Sequence, residues 1–256
     1  MDTKKIAAQM YSVRKELEKD PEETFRRLYE IGFRAIQLDG MRGHDPYIIK
    51  HLVDKYQFKI AGMHIKHDRF INDLDGIIEE SYLFDCKTIY NKYIEDEDQT
   101  ETGYIKTKQA MIEAAMKLSP LGFRIGLHSP EYNYAEKINN RNILDFFTQP
   151  VNGTMIYAEP DTYWIHRSGL NVLDEFKKFS KISPIVHLKN CSAEIKEDDE
   201  MYNLTEPVLD AGIIDINSVV EHCLDSGIEY FCIEQDYSEI NIFDNLKRGF
   251  NYLSKL

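Results

Sequence analysis

Short apolar segments alternate with longer amphipathic segments along the whole chain. Runs rich in β-branched and aromatic residues predict eight buried strands, over residues 6–11, 35–39, 59–65, 88–91, 124–128, 154–159, 185–189 and 230–235. Helical periodicity predicts eight helices, over residues 22–31, 47–56, 74–84, 107–118, 141–147, 172–179, 216–225 and 242–253. Strand and helix follow one another in strict order, which indicates a parallel sheet, and eight repeats predict a closed (β/α)8 barrel of the TIM type.

Three of the predicted connections from helix to strand share one kind of turn. Gly32, Gly122 and Gly227 each come just after a helical segment and just before a strand. Glycine takes the left-handed conformation that closes a helix at low cost, so we expect the same turn at all three places. An open doubly wound sheet is the alternative, but no GxGxxG or GxxxxGKS/T motif follows any strand. We therefore predict a single barrel domain over residues 1–256.

The length of the chain agrees with a single barrel, and its charge limits the classes of partner that we expect. A chain of 256 residues is about the size of one TIM barrel. The net charge is −13, Lys and Arg form no sustained run, and residues 95–98 and 197–200 are acidic clusters that we interpret as solvated loops. Proteins that neutralise several backbone phosphates usually present a basic face. We therefore expect no nucleic-acid partner.

The chain lacks the sequence marks of a membrane or secreted protein. No apolar run approaches the roughly 20 residues that cross a membrane, and the lead before the first strand is too short for a signal peptide. The four cysteines show no CxxC spacing, so we interpret them as reduced thiols in a reducing compartment. These observations predict a cytoplasmic protein with no membrane partner, and a homo-oligomer is the default expectation.

Polar residues at the ends of the predicted strands are the candidate functional groups, because barrel enzymes carry their chemistry at the C-terminal ends of their strands. His128 ends the fifth strand, Asp161 follows the sixth, His187 lies in the seventh and Glu234 ends the eighth. A mixed imidazole and carboxylate set suits one divalent ion such as Mn²⁺, Co²⁺, Mg²⁺ or Zn²⁺. The alternative for each residue alone is a hydrogen-bonded polar group of the barrel, but four consecutive strand ends favour the metal hypothesis.

Five motifs, spread from the first strand to the last, carry a resemblance to known enzymes. Residues 9–14 (QMYSVR) resemble a QLYSVR opening, residues 31–38 (IGFRAIQL) a GYxGVEL strand, residues 161–169 (DTYWIHRSG) a DTYWxxxAG motif, residues 186–190 (VHLKN) a VHLKD motif and residues 233–236 (IEQD) a VEQD motif. Together they resemble the sugar phosphate isomerase/epimerase branch of the xylose isomerase-like TIM-barrel superfamily, which includes inosose dehydratases, ketose 3-epimerases and hydroxypyruvate isomerases. The resemblance implies Asp161, His187 and Glu234 as metal ligands, with a fourth from strand five.

Strand five is where the chain departs from that branch. Many members have an HNHxxEF run there, whereas residues 128–134 read HSPEYNY, which retains only His128. Ketose 3-epimerases place a Glu at the fourth ligand position and use two metal-bound glutamates as symmetric acid/base groups. We therefore expect asymmetric proton chemistry here, with His128 as the fourth ligand.

Lys189, His64, Glu131 and the ligand Glu234 are the catalytic candidates for that chemistry. Each of the first three has a simpler interpretation that stays open: a structural ion pair for Lys189, a hydrogen-bonded strand-end histidine for His64, and a surface loop residue for Glu131. Substrate-binding candidates are Trp164, the single tryptophan, which could stack on a sugar, and the hydrogen-bonding side chains of Gln9, Tyr11, Arg167, Asn190 and Gln235.

The favoured function is a metal-dependent isomerase, epimerase or dehydratase that acts on a small keto-sugar, inosose or polyol through an enediolate or enolate. A carbohydrate-binding barrel that has lost activity is the alternative, motivated by the altered strand-five motif. A nuclease similar to the apurinic endonucleases, which share this barrel, is less favoured. It would need a multi-metal cluster and a basic face, and neither is evident in the sequence.

Overall fold

The computed structural model describes residues 1–130, 132–192 and 206–256. Eight parallel strands form a nearly closed barrel: β1 Ile6–Gln9, β2 Ala35–Leu38, β3 Lys59–Ile65, β4 Thr88–Asn91, β5 Arg124–His128, β6 Tyr157–Glu159, β7 Ile185–Leu188 and β8 Tyr230–Ile233. Their order in the sheet is β6-β5-β4-β3-β2-β1-β8-β7. A single parallel bridge between Asp161 and His187 joins the two ends of this order. The predicted (β/α)8 barrel is confirmed.

Helices follow the strands on the outside of the barrel. They are α1 Arg14–Lys19, α2 Pro21–Ile31, α3 Pro46–Lys55, α4 His67–Asn72, α5 Leu74–Leu83, α6 Glu101–Leu118, α7 Tyr132–Ala135, α8 Ile143–Thr148, α9 Thr162–Arg167, α10 Val172–Phe179, α11 Ile216–Ser226 and α12 Ile242–Leu253. All eight predicted helices overlap one of these. The sequence did not predict α1, α4, α7 and α9, which have only four to six residues; of the helices this short, only α8 was predicted.

The predicted helix-ending glycines adopt the expected backbone. Gly32, Gly122 and Gly227 have φ values of +124°, +84° and +82°. Gly122 ends a single-turn 3-10 helix, Ser119–Leu121, that continues α6. Another 3-10 turn, Met10–Val13, follows β1, so the first strand ends at Gln9 and is two residues shorter than predicted.

The barrel interior is apolar at the N-terminal ends of the strands and polar at the other ends. The apolar layer consists of Ala7, Ala35, Ala61, Tyr90, Ile185 and Cys232. Tyr90 is fully buried, and Gly126 makes room for it, because a Cβ atom at that position would lie 2.3 Å from the ring. Strand side chains that face one side recur every second residue. The next interior position on each strand therefore lies two residues further along. After Ala7, Ala35, Ile185 and Cys232, these positions are Gln9, Gln37, His187 and Glu234, respectively.

The structure also bears on the predictions about membrane spans, cysteines and acidic clusters. In the parts of the chain that the structure describes, no helix is both long and apolar enough to cross a membrane. All four cysteines lie in those parts, are buried and form no disulfide. Of the two acidic clusters, residues 95–98 include the 3-10 turn Asp96–Asp98 and are largely exposed, as expected. Residues 197–200 lie outside the described residues.

Candidate active site and metal centre

Four side chains from the ends of β5 to β8 converge at the mouth of the barrel. His128, Asp161, His187 and Glu234 each offer one ligand atom, and these four atoms lie within 4.8 Å of one another. All four residues are buried. They are the four that the sequence predicts as ligands, and the strand order explains why they meet, since the carboxyl ends of the strands share one edge of the barrel.

Two of these side chains hold a buried atom that has no hydrogen-bond partner. The Nδ1–H of His128 donates to the carbonyl of Lys92 at 3.1 Å, which leaves the lone pair of Nε2 without a partner. Asp161 accepts a hydrogen bond from the backbone N–H of Tyr163 at 2.7 Å through Oδ1, and its Oδ2 is likewise unpartnered. Buried polar atoms are rarely left unsatisfied. A nitrogen and an oxygen that both face the same space fit a divalent cation.

The electrostatics of the pair suit a cation. Burial, together with the nearby rings of His64 and His187, lowers the pKa of His128 to about 3, so its imidazole is neutral at neutral pH. A neutral imidazole is the form that ligates a metal. Burial raises the pKa of Asp161 to about 6, although the ammonium of Lys189 opposes this shift. The carboxyl group of Asp161 therefore ionises less readily than an exposed aspartate, and a cation beside it would favour the ionised form.

Lys189 supplies the permanent positive charge of the site. Its side chain is only 1% exposed, and its Nζ lies 2.7 Å from Asp236 Oδ2, 3.4 Å from Glu234 Oε2 and 3.5 Å from Asp161 Oδ2. Burial alone would lower the pKa of Lys189, but these carboxylates hold it well above its usual value. The ammonium therefore keeps its proton at neutral pH.

A cavity of about 850 Å³ opens beside these groups. The predicted site residues that line it are Tyr11, His64, His128, Trp164, Lys189 and Glu234. Sequence reasoning did not assign a role to several other lining residues with ionisable side chains, among them Asp39, Lys92, Glu206 and Asp236. Asp39 comes directly after β2 and Asp236 comes three residues after the end of β8, and this position near a strand end is the signal that could have found them. Glu206 follows no strand directly, so its sequence position gave no such signal.

Four predicted substrate-binding residues do not line the cavity: Gln9, Arg167, Asn190 and Gln235. Asn190 instead ties two loop segments together, because its amide donates to the carbonyl of Leu209 at 2.8 Å and accepts from the N–H of Ile214 at 2.9 Å. Gln235 donates to the carbonyl of Glu206 at 2.6 Å. Gln235 therefore contacts a residue of the cavity lining, whereas Leu209 and Ile214, the partners of Asn190, lie outside that lining. Glu131 lies outside the described residues.

A buried polar network lies directly below the four candidate ligands. Glu159 accepts hydrogen bonds from Gln37 Nε2 at 2.5 Å and from His64 Nε2 at 2.6 Å. His187 Nε2 lies 2.6 Å from Gln37 Oε1, and Gln9 Nε2 lies 3.3 Å from His64 Nδ1. Both ring nitrogens of His64 are therefore engaged inside the barrel. This favours the interpretation of His64 as a hydrogen-bonded strand-end histidine, although its ring lines the cavity.

The electrostatics of the network match its hydrogen bonds. Burial alone would raise the pKa of Glu159, but the neighbouring rings of His187 and His64 hold it well below its usual range. Burial alone would lower the pKa of His187, but the carboxylates of Glu159 and Glu234 hold it well above its usual value. Glu159 is thus a permanent buried carboxylate of the barrel.

No protein-family model and no curated protein matches the sequence. Solved structures do match along nearly the whole chain. A sugar phosphate isomerase/epimerase from Parabacteroides distasonis superposes with a TM-score of 0.77 at 16% identity, covering 99% of this chain and 98% of that one. The protein has the xylose isomerase-like TIM-barrel fold.

Two further solved structures share this fold, but their names refer to different ligands or reactions. A xylose isomerase-like TIM barrel protein from Mycobacterium smegmatis, in complex with magnesium, has a TM-score of 0.74 at 15% identity, with 98% and 95% of the two chains covered. The probable 3-DHS dehydratase AsbF from Bacillus anthracis has a TM-score of 0.72 at 14% identity, with 98% of each chain covered. A protein named as an AP endonuclease shares the fold as well. The fold alone therefore does not decide the reaction.

Proposed function

We propose that the protein is a divalent-metal-dependent enzyme that isomerises, epimerises or dehydrates a small keto-sugar, inosose or polyol. The observation that carries this proposal is the convergence of His128, Asp161, His187 and Glu234 beside a cavity of about 850 Å³, with an unpartnered nitrogen and an unpartnered oxygen among them. Neighbouring structures named as an isomerase/epimerase and as a probable dehydratase support this range of reactions.

Four residues would hold the ion: His128, Asp161, His187 and Glu234. When bound, the ion would polarise a substrate carbonyl and a neighbouring hydroxyl, which makes the proton on the adjoining carbon more acidic. Lys189 holds a proton at Nζ on the cavity wall, where it can donate to an oxygen that gains negative charge or leaves the substrate.

A second acid lies on the same wall. Burial raises the pKa of Glu206 to about 8, with the Asp236 carboxylate adding to the shift and the Lys189 ammonium opposing it. Its carboxyl group is therefore largely protonated at neutral pH. Two proton donors of different chemistry, Lys189 and Glu206, fit the asymmetric proton transfer that the altered strand-five motif predicts better than two equivalent glutamates would.

The lining of the cavity fits a sugar or polyol better than a nucleic acid. The aromatic rings of Tyr93, Tyr132, Tyr163, Trp164 and Tyr237 offer apolar faces for stacking. Besides the protonated Glu206, six carboxylates line the cavity against the ammonium groups of Lys66, Lys92 and Lys189: those of Asp39, Glu95, Asp96, Glu136, Glu234 and Asp236. Carboxylates accept hydrogen bonds from hydroxyl groups, whereas their excess repels a phosphate backbone.

Metal content and proton exchange together test the proposal. Mass spectrometry should find about one ion of Mn, Co, Mg or Zn per chain in the wild type, and much less in Glu234→Gln and His187→Ala. The His222→Ala variant is the matched control, because His222 lies on α11 and outside the cavity lining. The loaded enzyme should then exchange a carbon-bound proton of a keto-sugar or inosose in D2O. Protein that takes up none of these ions would contradict the proposal and leave a carbohydrate-binding barrel as the better account.

A further inference from the structure

The two ring nitrogens of His187 face different surroundings. Nδ1 faces the candidate ligands, at 2.8 Å from Glu234 Oε2 and 3.9 Å from Asp161 Oδ2. Nε2 faces the barrel interior, at 2.6 Å from Gln37 Oε1 and 3.5 Å from Glu159 Oε1. An ion held by the ligand set would therefore meet Nδ1.

The orientation of the Gln37 amide decides which proton His187 must keep. Gln37 Nε2 donates to Glu159 Oε1 at 2.5 Å, since a carboxylate can only accept. The other end of the amide, Oε1, is then directed at His187 Nε2, and a carbonyl oxygen can only accept as well. The ring must therefore carry a proton on Nε2. Nδ1 also carries a proton where it donates to Glu234 Oε2 at 2.8 Å, and an ion would have to displace this second proton in order to bind there.

We infer that Glu159, acting through Gln37, is a positioning residue that keeps the proton of His187 on Nε2 and leaves Nδ1 to ligate the ion. This inference rests on the metal centre of the proposed function. Metal-ligating histidines usually donate their second ring N–H to such a partner, which orients the ring and raises its basicity. Here an amide lies between the two groups. The Glu159 carboxylate fixes the orientation of the Gln37 amide, and this amide fixes a proton on Nε2 of the His187 ring.

The same network is not a second metal site. By distance alone, His64, Glu159 and His187 could hold an ion, because one ligand atom of each lies within 4.8 Å of the others. However, Glu159 Oε2 is already 2.6 Å from His64 Nε2, and the other nitrogen of His64 meets Gln9. Unlike His128 and Asp161, none of these three residues has an unpartnered side-chain atom. One ion per chain is therefore expected.

The Glu159→Gln variant removes the carboxylate that favours one orientation of the Gln37 amide. An amide at position 159 can present either its oxygen or its nitrogen to Gln37. Only the hydrogen bond that Gln9 Nε2 donates to Gln37 Oε1 at 3.1 Å would then still oppose a turn of the Gln37 NH₂ group towards His187. The ring would then keep its proton on Nδ1, where the ion has to bind. Partners of this kind typically change metal affinity by about 10- to 100-fold, and we expect a loss in this range.

Two measurements test the inference with Zn²⁺ alone as the probe. Titration calorimetry compares the Zn²⁺ affinity of the wild type with that of Glu159→Gln, and Glu175→Gln is the matched control. Glu175 is a 4% exposed glutamate on α10, outside the cavity beside the ligand set. Nitrogen-15 NMR of histidine-labelled, Zn²⁺-loaded wild type should find the proton of His187 on Nε2 and the metal on Nδ1. This second measurement needs no variant, so the inference can still be overturned even if Glu159→Gln does not fold.

The outcomes separate this inference from the function on which it rests. A wild type that binds one Zn²⁺ through Nδ1, with weaker binding in Glu159→Gln and unchanged binding in Glu175→Gln, supports both. Zn²⁺ on Nε2, or equal affinity in wild type and Glu159→Gln, overturns the inference and leaves the proposed function standing. Two ions per chain would overturn the assignment of the network, and a wild type that binds no ion would overturn inference and function together.

Discussion

Replacing Lys189 by Met should destabilise the metal-free protein far more than the metal-loaded one. Methionine keeps an unbranched stem of similar length, so the apolar contacts of the lysine stem are largely retained. What the variant loses is the ammonium, whose Nζ lies between 2.7 and 3.5 Å from three carboxylates. Asp161, Glu234 and Asp236 would be left together in the buried mouth without their cation.

The size of the effect follows from how deeply these charges are buried. The side chains of Lys189, Asp161 and Glu234 are 1%, 0% and 5% exposed, so solvent screens them little. Removing one partner of a buried ion pair typically costs about 3–5 kcal/mol, which corresponds to a fall in Tm of roughly 6–20 °C for a chain of this size. The folded-state pKa of Lys189 is raised, so its stabilising effect is complete below the unfolded pKa and is lost only as the pH rises through the folded value. At neutral pH the whole effect should be measured.

Thermal unfolding with EDTA and with saturating Mn²⁺ is the assay. A divalent ion on the same carboxylates replaces the missing charge, so the metal should raise the Tm of Lys189→Met more than that of the wild type. Lys92→Met is the matched control, because Lys92 is 27% exposed and its partner Asp39, at 3.2 Å, keeps a second ion pair with Arg42. We therefore expect a smaller loss than for Lys189→Met. If Lys189→Met lost nothing in EDTA, or lost the same with and without Mn²⁺, the reasoning would be refuted.

Three further predictions follow from the same site and from the barrel beneath it. Metal affinity should weaken as the pH falls below about 6, because burial raises the pKa of Asp161 to about 6 and the ion needs the ionised carboxylate. Equilibrium dialysis above and below that pH measures this affinity, and a constant affinity would contradict the prediction. Gly126→Ala should lower the free energy of unfolding in urea by about 1–3 kcal/mol, because its Cβ would lie 2.3 Å from the ring of Tyr90; an unchanged midpoint would mean that the ring has room to move. Co²⁺ should quench the fluorescence of Trp164, the only tryptophan, because its ring centre is 5.2 Å from Lys189 Nζ in the proposed site. Undiminished emission at saturating Co²⁺ would place the ion elsewhere.

The fold could be predicted because each of its parts leaves a local signal. Buried strands are short apolar runs, the outer helices have one apolar face, and the turns that join them use glycine where φ is positive. The short helices α1, α4, α7 and α9 leave no such signal. They form in the loops after strands, where a tertiary contact or a single cap decides the backbone. At α9, for instance, the carboxylate of Asp161 accepts from the backbone N–H groups of Tyr163 and Trp164.

The candidate ligands could be predicted for a similar reason, whereas their surroundings could not. His128, Asp161, His187 and Glu234 stand at strand ends, and the topology alone brings strand ends together. The network beneath them joins residues far apart in sequence, for example Gln37 with Glu159 and with His187, at separations of 122 and 150 residues. A single sequence gives the face of each strand but not the partner across the barrel. This is why Gln9, an interior glutamine, was predicted to bind substrate.

The seam of the barrel runs through the proposed metal centre. The first and last strands of the sheet order are joined where Asp161 bridges His187 and where Thr162 Oγ1 accepts from the N–H of Lys189 at 2.9 Å. Contacts between the two ends of a sheet order form only after the whole sheet has curved round, and such non-local contacts are slow to form. An ion that needs ligands from both sides of the seam would bind the closed barrel alone and stabilise it by mass action. Ion uptake by this chain would then report the completion of folding as well as readiness for catalysis.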